Sequence, residues 1–393
     1  MRNQAATMKR LSRMSANTIT VRPVLNKADQ MTFLKIPFEI YARDKNWIAP
    51  LFLERLEHLD PKKNPYFEHA DVQLFIAEKN GKPVGRISAQ IDRLHLERYN
   101  DHCGQFGFLE SIDDAQIFAA LFHAAEDWLR TRHMKQVRGP FSFSINDESG
   151  LLIDGFDTPP NSFMGHALPY YQTQTEAAGF KKAKDLHAYI RDMRIPLPAV
   201  LERIYKRGLA TGNVTIRSMN KSDIQNDIKI VIDIFNDAWS NNWGYVPFTE
   251  KELAMLAKNL KMLVAKEAVQ IAFYKGEPAA FIISMPNLNE WFSGLNGKLL
   301  PKGLPRMIGK LITKKSKSIR VPLMGVRQHL QDGTLGSVLS IGVIKTVYEF
   351  HKARGVEEVE MSWILEDNTR MRHILEASGS RIYKTYRVYE KIL

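Results

Sequence analysis

Residues 321–336 read VPLMGVRQHLQDGTLG, and the fold prediction starts from this stretch. Its first six residues are typical of a buried strand, and a long apolar helix pattern follows from Leu335 to Arg354. A strand that enters a glycine-containing turn and opens a helix can hold phosphate, because the backbone approaches closely and the first helical N–H groups point at the anion. The spacing is neither GxGxxG nor the GK[ST] of a nucleotide P-loop. Glycines that merely turn a strand into a helix are the alternative interpretation.

The elements predicted around this stretch occur twice in one order: strand, helices, hairpin, strand, helix, strand, helix, strand. Asn80-Gly81 and Lys275-Gly276 mark the hairpin turns, and Pro196-Leu197-Pro198 marks a boundary. We therefore predict an α/β (α+β) protein of two tandem domains, each a mixed twisted sheet flanked by helices. The predicted organisation is a flexible basic arm at 1–17, domains at 18–195 and 213–393, and a linker at 196–212.

The composition narrows the class of protein. A chain of 393 residues exceeds one ordinary domain, and 44% hydrophobic with 25% charged residues excludes a disordered chain or a coiled-coil rod. The single cysteine, Cys103, excludes an intrachain disulfide and a cysteine-cage zinc site, and it favours the cytoplasm. The chain has no run of about 18 apolar residues and no His/Asp/Glu cluster with metal-ligand spacing. We expect no metal, no transmembrane helix and, from a net charge of +12, an anionic partner.

The 321–336 stretch resembles the pyrophosphate-binding segment of the GNAT acyltransferase superfamily, Gln/Arg-x-x-Gly-x-Gly/Ala. Gln331 and Gly336 match that pattern, and Thr334 replaces the first glycine. Residues 363–368, WILEDN, resemble the superfamily's fifth strand and the asparagine after it. The resemblance implies acyl-CoA as co-substrate, with an oxyanion held by backbone N–H groups around Met324 to Val326. The implied cofactor-binding residues are Met324, Val326, Gln331, Gly333, Thr334, Gly336 and Asn368.

The first domain resembles the same fold through the hairpin at 75–87 and the helix stop at Gly179. The position of its phosphate loop reads Ser111-Ile112-Asp113-Asp114-Ala115, with no glycine and two acids. Two carboxylates there would repel a pyrophosphate. The second domain is therefore the expected site of acyl-CoA.

A longer stretch, GPFSFSINDESGLLIDGFDTPP at 139–160, resembles a subfamily of tandem GNAT-like bacterial proteins that includes the bacterial ceramide synthases. Asn64-Pro65-Tyr66-Phe67 and Tyr170-Tyr171 resemble its other landmarks. The resemblance implies a transferase of sphingolipid metabolism that moves a fatty acyl group from acyl-CoA, or from an acyl-carrier protein, to the amine of a long-chain sphingoid base. Two alternatives remain open: an N-acetyltransferase acting on a small amine or protein, and a non-catalytic acyl-CoA or lipid-binding protein.

Candidate catalytic residues follow from the chemistry of the amine, which is almost wholly protonated at pH 7 and needs a proton acceptor. Glu148, then Asp147, are the proposed acceptors, because they lie together in a loop without basic residues; His166 could also serve. A solvated turn and a merely polar loop histidine are the alternatives. Tyr171 and Tyr383 are candidates to protonate the leaving thiolate, although such tyrosines commonly only pack.

An insert at 291–320 combines bases with apolar residues. No Asp or Glu occurs from Trp291 to Gln331, while nine Lys and Arg alternate with Leu, Ile, Met and aromatic residues. This composition is typical of a membrane-surface element and predicts an anionic membrane partner at the inner face of the membrane. A packed helix, or one whose bases face the CoA phosphates, is the alternative. No nucleic-acid-binding motif is present, and no nucleic-acid partner is expected.

Overall fold

A computed structural model describes residues 18–301 and 303–393, so the basic arm predicted at 1–17 lies outside the described residues. The strands of the first half are β1 (Ile19–Pro23), β2 (Ala70–Lys79), β3 (Lys82–Asp92), β4 (Cys103–Ser111), β5 (Gln136–Gly139), β6 (Phe141–Ser142), β7 (Glu148–Ser149), β8 (Leu151–Asp154) and β9 (Lys181–Asp192). Those of the second half are β10 (Val214–Ser218), β11 (Val269–Tyr274), β12 (Glu277–Pro286), β13 (Ser318–Val326), β14 (Glu358–Leu365) and β15 (Arg381–Ile392).

The α-helices of the described residues flank these strands. They are α1 (Lys27–Ile40), α2 (Phe52–His58), α3 (Arg93–Tyr99), α4 (Ala115–Arg130), α5 (Tyr170–Ala177), α6 (Ala199–Ala210), α7 (Ile224–Trp239), α8 (Glu250–Leu263), α9 (Leu288–Phe292), α10 (Gly303–Thr313), α11 (Gly333–Ala353) and α12 (Thr369–Ala377). Thr249 and Glu252 are three residues apart in the sequence, a spacing that predicts a capping box. The start of α8 has this form, with Thr249 accepting from the Glu252 N–H and Glu252 accepting from the Thr249 N–H.

The predicted mixed α/β class is confirmed, and the two halves share one sheet of 13 strands. The order is β1-β2-β3-β4-β5-β15-β9-β14-β13-β12-β11-β10, with β8 also paired to β15. The last strand of the first half, β9, lies between β14 and β15, and the last strand of the second half, β15, lies between β5 and β9. Each half therefore completes its sheet with a strand from the other, a pairing that the repeated order of elements did not predict.

An opening forms in the second half where two parallel strands separate. Strands β13 and β14 pair from Ser318↔Glu358 to Val321↔Met361. Beyond this point β13 stays with β12 as far as Val326, while β14 stays with β9. The strands diverge because each keeps its backbone hydrogen bonds with its outer neighbour, and a gap between β13 and β14 results.

The corresponding place in the first half is filled by protein. Strands β4 and β5 pair only from Cys103↔Gln136 to Gln105↔Arg138. The chain after β5 then turns across β4, where the Gln90 side-chain amide donates to the carbonyls of Phe141 (2.7 Å) and Phe143 (3.1 Å). Gly107 permits this approach, since a Cβ there would overlap with the Phe141 carbonyl. The two halves therefore differ at this position of the sheet.

The two halves are also joined by a buried histidine between two carboxylates. His69 Nδ1 lies 3.0 Å from Asp92 at the start of α3, and its Nε2 lies 3.2 Å from Glu252 in the first turn of α8. Burial alone would lower the pKa of His69, but hydrogen bonds to Asp92 and Glu252 outweigh it and raise the pKa to about 9. The imidazolium at neutral pH therefore connects the first half to the second.

We expect this connection to stabilise the fold only at pH values at which His69 is protonated. Its folded-state pKa exceeds the unfolded value of about 6.5, so the contribution is complete below pH 6.5 and is lost as the pH rises through about 9. The His69→Gln variant should lose about 1.5–3 kcal/mol of unfolding free energy at pH 6, and less at pH 9.5. Denaturant unfolding at both pH values measures this difference. His123→Gln, on the exposed face of α4, is the matched control, and an equal loss at the two pH values would contradict the account.

Candidate active site

The start of α11 forms a tight glycine turn beside β13. The Gln331 side chain donates to the Val326 carbonyl (2.9 Å), which folds the loop back onto the strand. Gly333 has φ +72°, and at Gly336 a Cβ would overlap with the Gln331 carbonyl, so glycine is required at both positions. Asp332 precedes the helix, but its side chain makes no cap hydrogen bond to the first turn. The first N–H groups of α11 are therefore not occupied by that carboxylate.

The start of α4, at the equivalent position in the first half, differs in this respect. The Asp114 side chain accepts from the Gln116 N–H at 2.9 Å and pairs with Lys79 at 2.7 Å. A carboxylate thus already occupies the positive end of this helix. This contact agrees with the expectation that acyl-CoA binds in the second half.

The remaining residues predicted to bind the cofactor lie around the same turn. Met324 is on β13, where its carbonyl accepts from Trp239 Nε1 at 3.0 Å. Asn368 caps the neighbouring helix α12 by accepting from the Met371 N–H at 3.1 Å. Arg370, which sequence reasoning did not single out, reaches back from α12 to Asp332 (3.2 Å) and to the Gln331 carbonyl. The guanidinium of Arg370 therefore lies beside the glycine turn.

A buried ion pair lies one position before the last paired residues of β13 and β14. Ile319 and Val359 pack on one face with Tyr348 of α11, so Arg320 and Glu360 point to the opposite face. Arg320 Nε lies 3.6 Å from Glu360 Oε1, and both side chains are almost fully buried. Ser362 donates to Glu360 Oε1 at 2.5 Å, and Tyr383 donates to Glu360 Oε2. The proton of Tyr383, a predicted thiolate donor, is thus directed to a carboxylate.

A second buried carboxylate lies in the first half. Glu110 of β4 accepts from Tyr41 (2.5 Å) and from Tyr171 (2.7 Å), and Arg86 Nη2 lies 3.7 Å from its other oxygen. Burial raises the pKa of Glu110 to about 6, even though Arg86 and the two hydroxyls oppose the shift. The hydroxyl proton of Tyr171, the other predicted thiolate donor, is likewise directed to a carboxylate.

Glu148 and Asp147 have different environments despite being neighbours. Glu148 forms a hydrogen-bonded ion pair with Arg55 of α2. Burial would raise the pKa of Glu148, but Arg55 outweighs burial, and the pKa lies below its ordinary value. Asp147 is 42% exposed and accepts from the Ser144 N–H at 3.2 Å. Glu148 is therefore a weaker base than an isolated carboxylate, and Asp147 takes part in a loop turn.

His166 forms a buried dyad with Asp44. Its Nε2 lies 2.7 Å from Asp44 Oδ2, and the side chain is 4% exposed. Burial lowers the pKa of His166 below its ordinary value, although Asp44 opposes the shift, so the ring is neutral at pH 7. Nδ1 is buried and has no hydrogen-bond partner within the described residues. With the proton on Nε2, facing Asp44, Nδ1 keeps a lone pair that can accept a proton.

The bridging segment, residues 156–166, connects the two polar clusters. On one side Asn46 donates to the Phe156 carbonyl (2.9 Å). On the other side Arg320 donates to the Ser162 carbonyl (2.7 Å), and Ser362 lies 3.4 Å from Met164 Sδ. The arrangement forms one polar interior. Its side chains include the predicted residues Glu148, His166, Tyr171 and Tyr383.

Several residues of this interior were missed by sequence reasoning. Their only signal is a charged residue within an otherwise apolar strand, as with Glu110, Arg320 and Glu360. Asp44 and Arg55 carry no such signal, because their partners are 122 and 93 residues away. The residues concerned are Asp44, Arg55, Arg86, Glu110, Arg320 and Glu360.

One group of potential metal ligands lies away from this interior. Ligand atoms of His95, Asp101 and Cys103 lie within 4.8 Å of one another. His95 Nε2 is 3.2 Å from Asp101, and Arg138 lies 3.9 Å from the same carboxylate. Burial raises the pKa of Cys103 to about 12, so the sulfur is a protonated thiol rather than a nucleophile. These contacts are those of a hydrogen-bonded core cluster.

Comparison with known proteins identifies the family through relatives of nearly full length, although no family model matches the chain. The chain is 44% identical over 376 residues to a bacterial ceramide synthase of Caulobacter vibrioides (strain NA1000 / CB15N), which covers 95% of this chain and 98% of that relative. It is also 44% identical over 372 residues to Protein YghO of Escherichia coli (strain K12), which covers 94% and 95% of the two chains.

Solved structures agree on the fold. A tandem GNAT protein from the clavulanic acid biosynthesis pathway superposes with a TM-score of 0.56 at 11% identity, covering 95% of this chain and 98% of that one. A GCN5-related N-acetyltransferase from Sphaerobacter thermophilus gives 0.51 at 12% identity, with 95% of both chains covered. The chain is therefore an acyltransferase with the tandem GNAT fold, and it belongs to the bacterial ceramide synthase family.

Proposed function

We propose that this protein transfers a fatty acyl group from acyl-CoA to the amine of a long-chain sphingoid base. The observation that carries the proposal is the opening between β13 and β14, which has a glycine turn at one end and a buried polar interior at the other. The 44% identical ceramide synthase of C. vibrioides supports the choice of substrate class.

We assign the CoA pyrophosphate to the start of α11, where helical N–H groups and Arg370 would bind it. The thioester would then enter between β13 and β14, with N–H groups around Met324 to Val326 beside its oxygen. The first half offers no such path, because Phe141 and Phe143 fill its opening. An acyl-carrier protein could present the same thioester and is the alternative donor.

The reaction needs one proton acceptor and no protein nucleophile. The ammonium gives one proton to the acceptor, and the amine nitrogen then attacks the thioester carbon. The amide C–N bond forms, the C–S bond breaks, and the CoA thiolate takes up the second proton that the nitrogen loses. Among the predicted bases we favour His166, since its ring is neutral, its Nδ1 is free to accept, and Asp44 orients it. Glu148 is paired with Arg55, and Asp147 is engaged in its turn.

A thiol-release assay tests the function. Purified protein is mixed with acetyl-, octanoyl- or palmitoyl-CoA, each with and without a long-chain sphingoid amine. We expect free CoA only with a long-chain thioester and the sphingoid amine together. Turnover with acetyl-CoA and short amines would instead indicate a small-molecule N-acetyltransferase. No thiol release with any acyl-CoA, and none with acyl-carrier-protein donors, would indicate a non-catalytic acyl-CoA or lipid-binding protein.

The assignment of His166 predicts a pH-dependent loss of activity. In the wild type kcat should fall as the pH decreases through the lowered pKa of His166, because the protonated ring cannot accept. His166→Gln should lower kcat by about 10²–10⁴. Asp44→Asn should retain more activity than His166→Gln. Since Asp44 raises the His166 pKa, this variant should also shift the fall of kcat at acidic pH to a lower pH.

His123→Gln serves as the control for this series because it lies on the exposed surface of α4. Glu148→Gln, assayed in parallel, tests the other proposed base. Wild-type kcat in His166→Gln together with a large loss in Glu148→Gln would reverse the assignment.

We further propose that the insert binds an anionic membrane surface. Leu304, Ile308 and Ile312 recur every four residues along α10 and are 40%, 49% and 75% exposed. Bases surround this stripe, and no acid occurs from Trp291 to Gln331. Lys314 anchors the helix by donating to the carbonyls of Met262 (2.8 Å) and Val264 (2.9 Å) at the end of α8. Within residues 18–301 and 303–393 no helix is both long and apolar enough to cross a membrane.

Replacing Ile308 and Ile312 together by serine should weaken this binding. We expect at least a tenfold loss of co-sedimentation with vesicles that contain an anionic phospholipid, because two exposed apolar side chains are removed from the surface. Val200→Ser on α6, which is 47% exposed, is the control. Unchanged co-sedimentation of the double variant would refute the membrane assignment.

A further inference from the structure

Tyr386 is a buried tyrosine with an unused hydroxyl. Its side chain is fully buried on β15, and the hydroxyl has no hydrogen-bond partner among the residues that the structure describes. Tyr383, three residues earlier, donates to Glu360. An unsatisfied buried polar group destabilises a folded protein, so the presence of this hydroxyl in the core requires an explanation.

A second unused donor lies beside it. The indole Nε1 of Trp363 on β14 is buried and also has no partner within the described part of the chain. The rings of Trp363 and Tyr386 pack edge to face, with centroids 6.3 Å apart and an interplanar angle of 84°. Trp363 is the second residue after Met361, the point where β13 and β14 separate, so this pair borders the opening.

The surrounding polar groups are already engaged with one another. Both Glu360 oxygens accept hydrogen bonds, one from Ser362 and one from Tyr383. Arg320 donates to Ser362 and to the Ser162 carbonyl, and its guanidinium lies 4.6 Å from the centroid of the Trp363 ring. Beside this ion pair, the Trp363 indole and the Tyr386 hydroxyl therefore remain as adjacent free donors for an incoming group.

The chemistry of the donors defines the ligand atom. An indole N–H can only donate, so its partner is an acceptor. Burial, reinforced by the Glu360 carboxylate, raises the pKa of the Tyr386 hydroxyl well above its ordinary value, so the hydroxyl keeps its proton. An oxygen acceptor matches both groups, whereas an ammonium group could donate only to the tyrosine oxygen and would find no acceptor on the indole.

We propose that Tyr386 and Trp363 form a subsite that binds an oxygen atom of a bound substrate during acyl transfer. Two oxygens in the reaction have this chemistry: the thioester carbonyl oxygen, which becomes negative as the amine attacks, and an oxygen substituent next to the amine of the sphingoid base. The proposal rests on the proposed function, because it requires both substrates to meet at this opening.

The decisive variant is Tyr386→Phe, tested for stability and for turnover. Because the hydroxyl is unpaired in the free protein, its removal should leave the melting temperature unchanged or raise it, while kcat/KM for acyl transfer should fall at least tenfold. Tyr383→Phe is the matched comparison: it removes a hydroxyl that donates to Glu360 and should lower the melting temperature.

Assays with two different amine substrates distinguish the two oxygens. Each protein is assayed with a long-chain sphingoid base and with a simple long-chain alkylamine that lacks oxygen substituents. If the subsite binds the thioester oxygen, Tyr386→Phe loses kcat equally with both amines. If it binds the acceptor oxygen, wild type prefers the sphingoid base, and Tyr386→Phe loses that preference mainly through KM.

Wild-type turnover of Tyr386→Phe with both amines would overturn the inference while leaving the proposed function intact. A lowered melting temperature without a specific kinetic loss would do the same, since it would reveal an internal partner for the hydroxyl. Trp363→Phe provides an independent check, because it should repeat the same substrate pattern. If the wild type transfers no acyl group to any amine, the proposed function fails and the inference falls with it.

Discussion

The exchange of strands β9 and β15 is the constraint on which the rest of the structure depends. Every buried backbone N–H and carbonyl needs a partner, and each of these two strands is hydrogen-bonded on both edges to strands of the other half. Neither half could keep its sheet complete if the other were removed. The halves are therefore one folding unit at the sheet, whatever their boundaries in sequence, and residues from both are held in fixed positions at its centre.

The polar interior follows from that arrangement. Charged side chains are expensive to bury, and here each is compensated by a specific partner: Arg320 by Glu360, Arg55 by Glu148, Asp44 by His166. These pairs lie where the bridging segment passes between the loop after α1 and the ends of β13 and β14. Among the buried groups that remain without a partner in the described residues are His166 Nδ1, Trp363 Nε1 and the Tyr386 hydroxyl, to which we assign chemistry.

The two halves share a topology but differ in function for local reasons. In the second half a glycine turn begins α11, and strands β13 and β14 separate beyond Val321 and Met361. In the first half Asp114 occupies the start of α4, and the chain after β5 packs into the gap. The filled half supplies Glu110, His166 and Glu148 to the interior, so it contributes side chains where the other half contributes the path for the thioester.

Local features were predictable from the amino-acid order. Hydrophobic periodicity located most strands and helices; a threonine and a glutamate three residues apart predicted the α8 capping box; and glycines located the turn before α11. The short helix α3 and the short strands β7 and β8 were missed, because so few residues show no clear periodicity. The exchange of β9 and β15, the filled gap of the first half, and the pairs Arg55–Glu148 and Asp44–His166 were not predictable. They join residues from about 50 to about 250 positions apart, and a local pattern contains no information about which distant strand or side chain will be its neighbour.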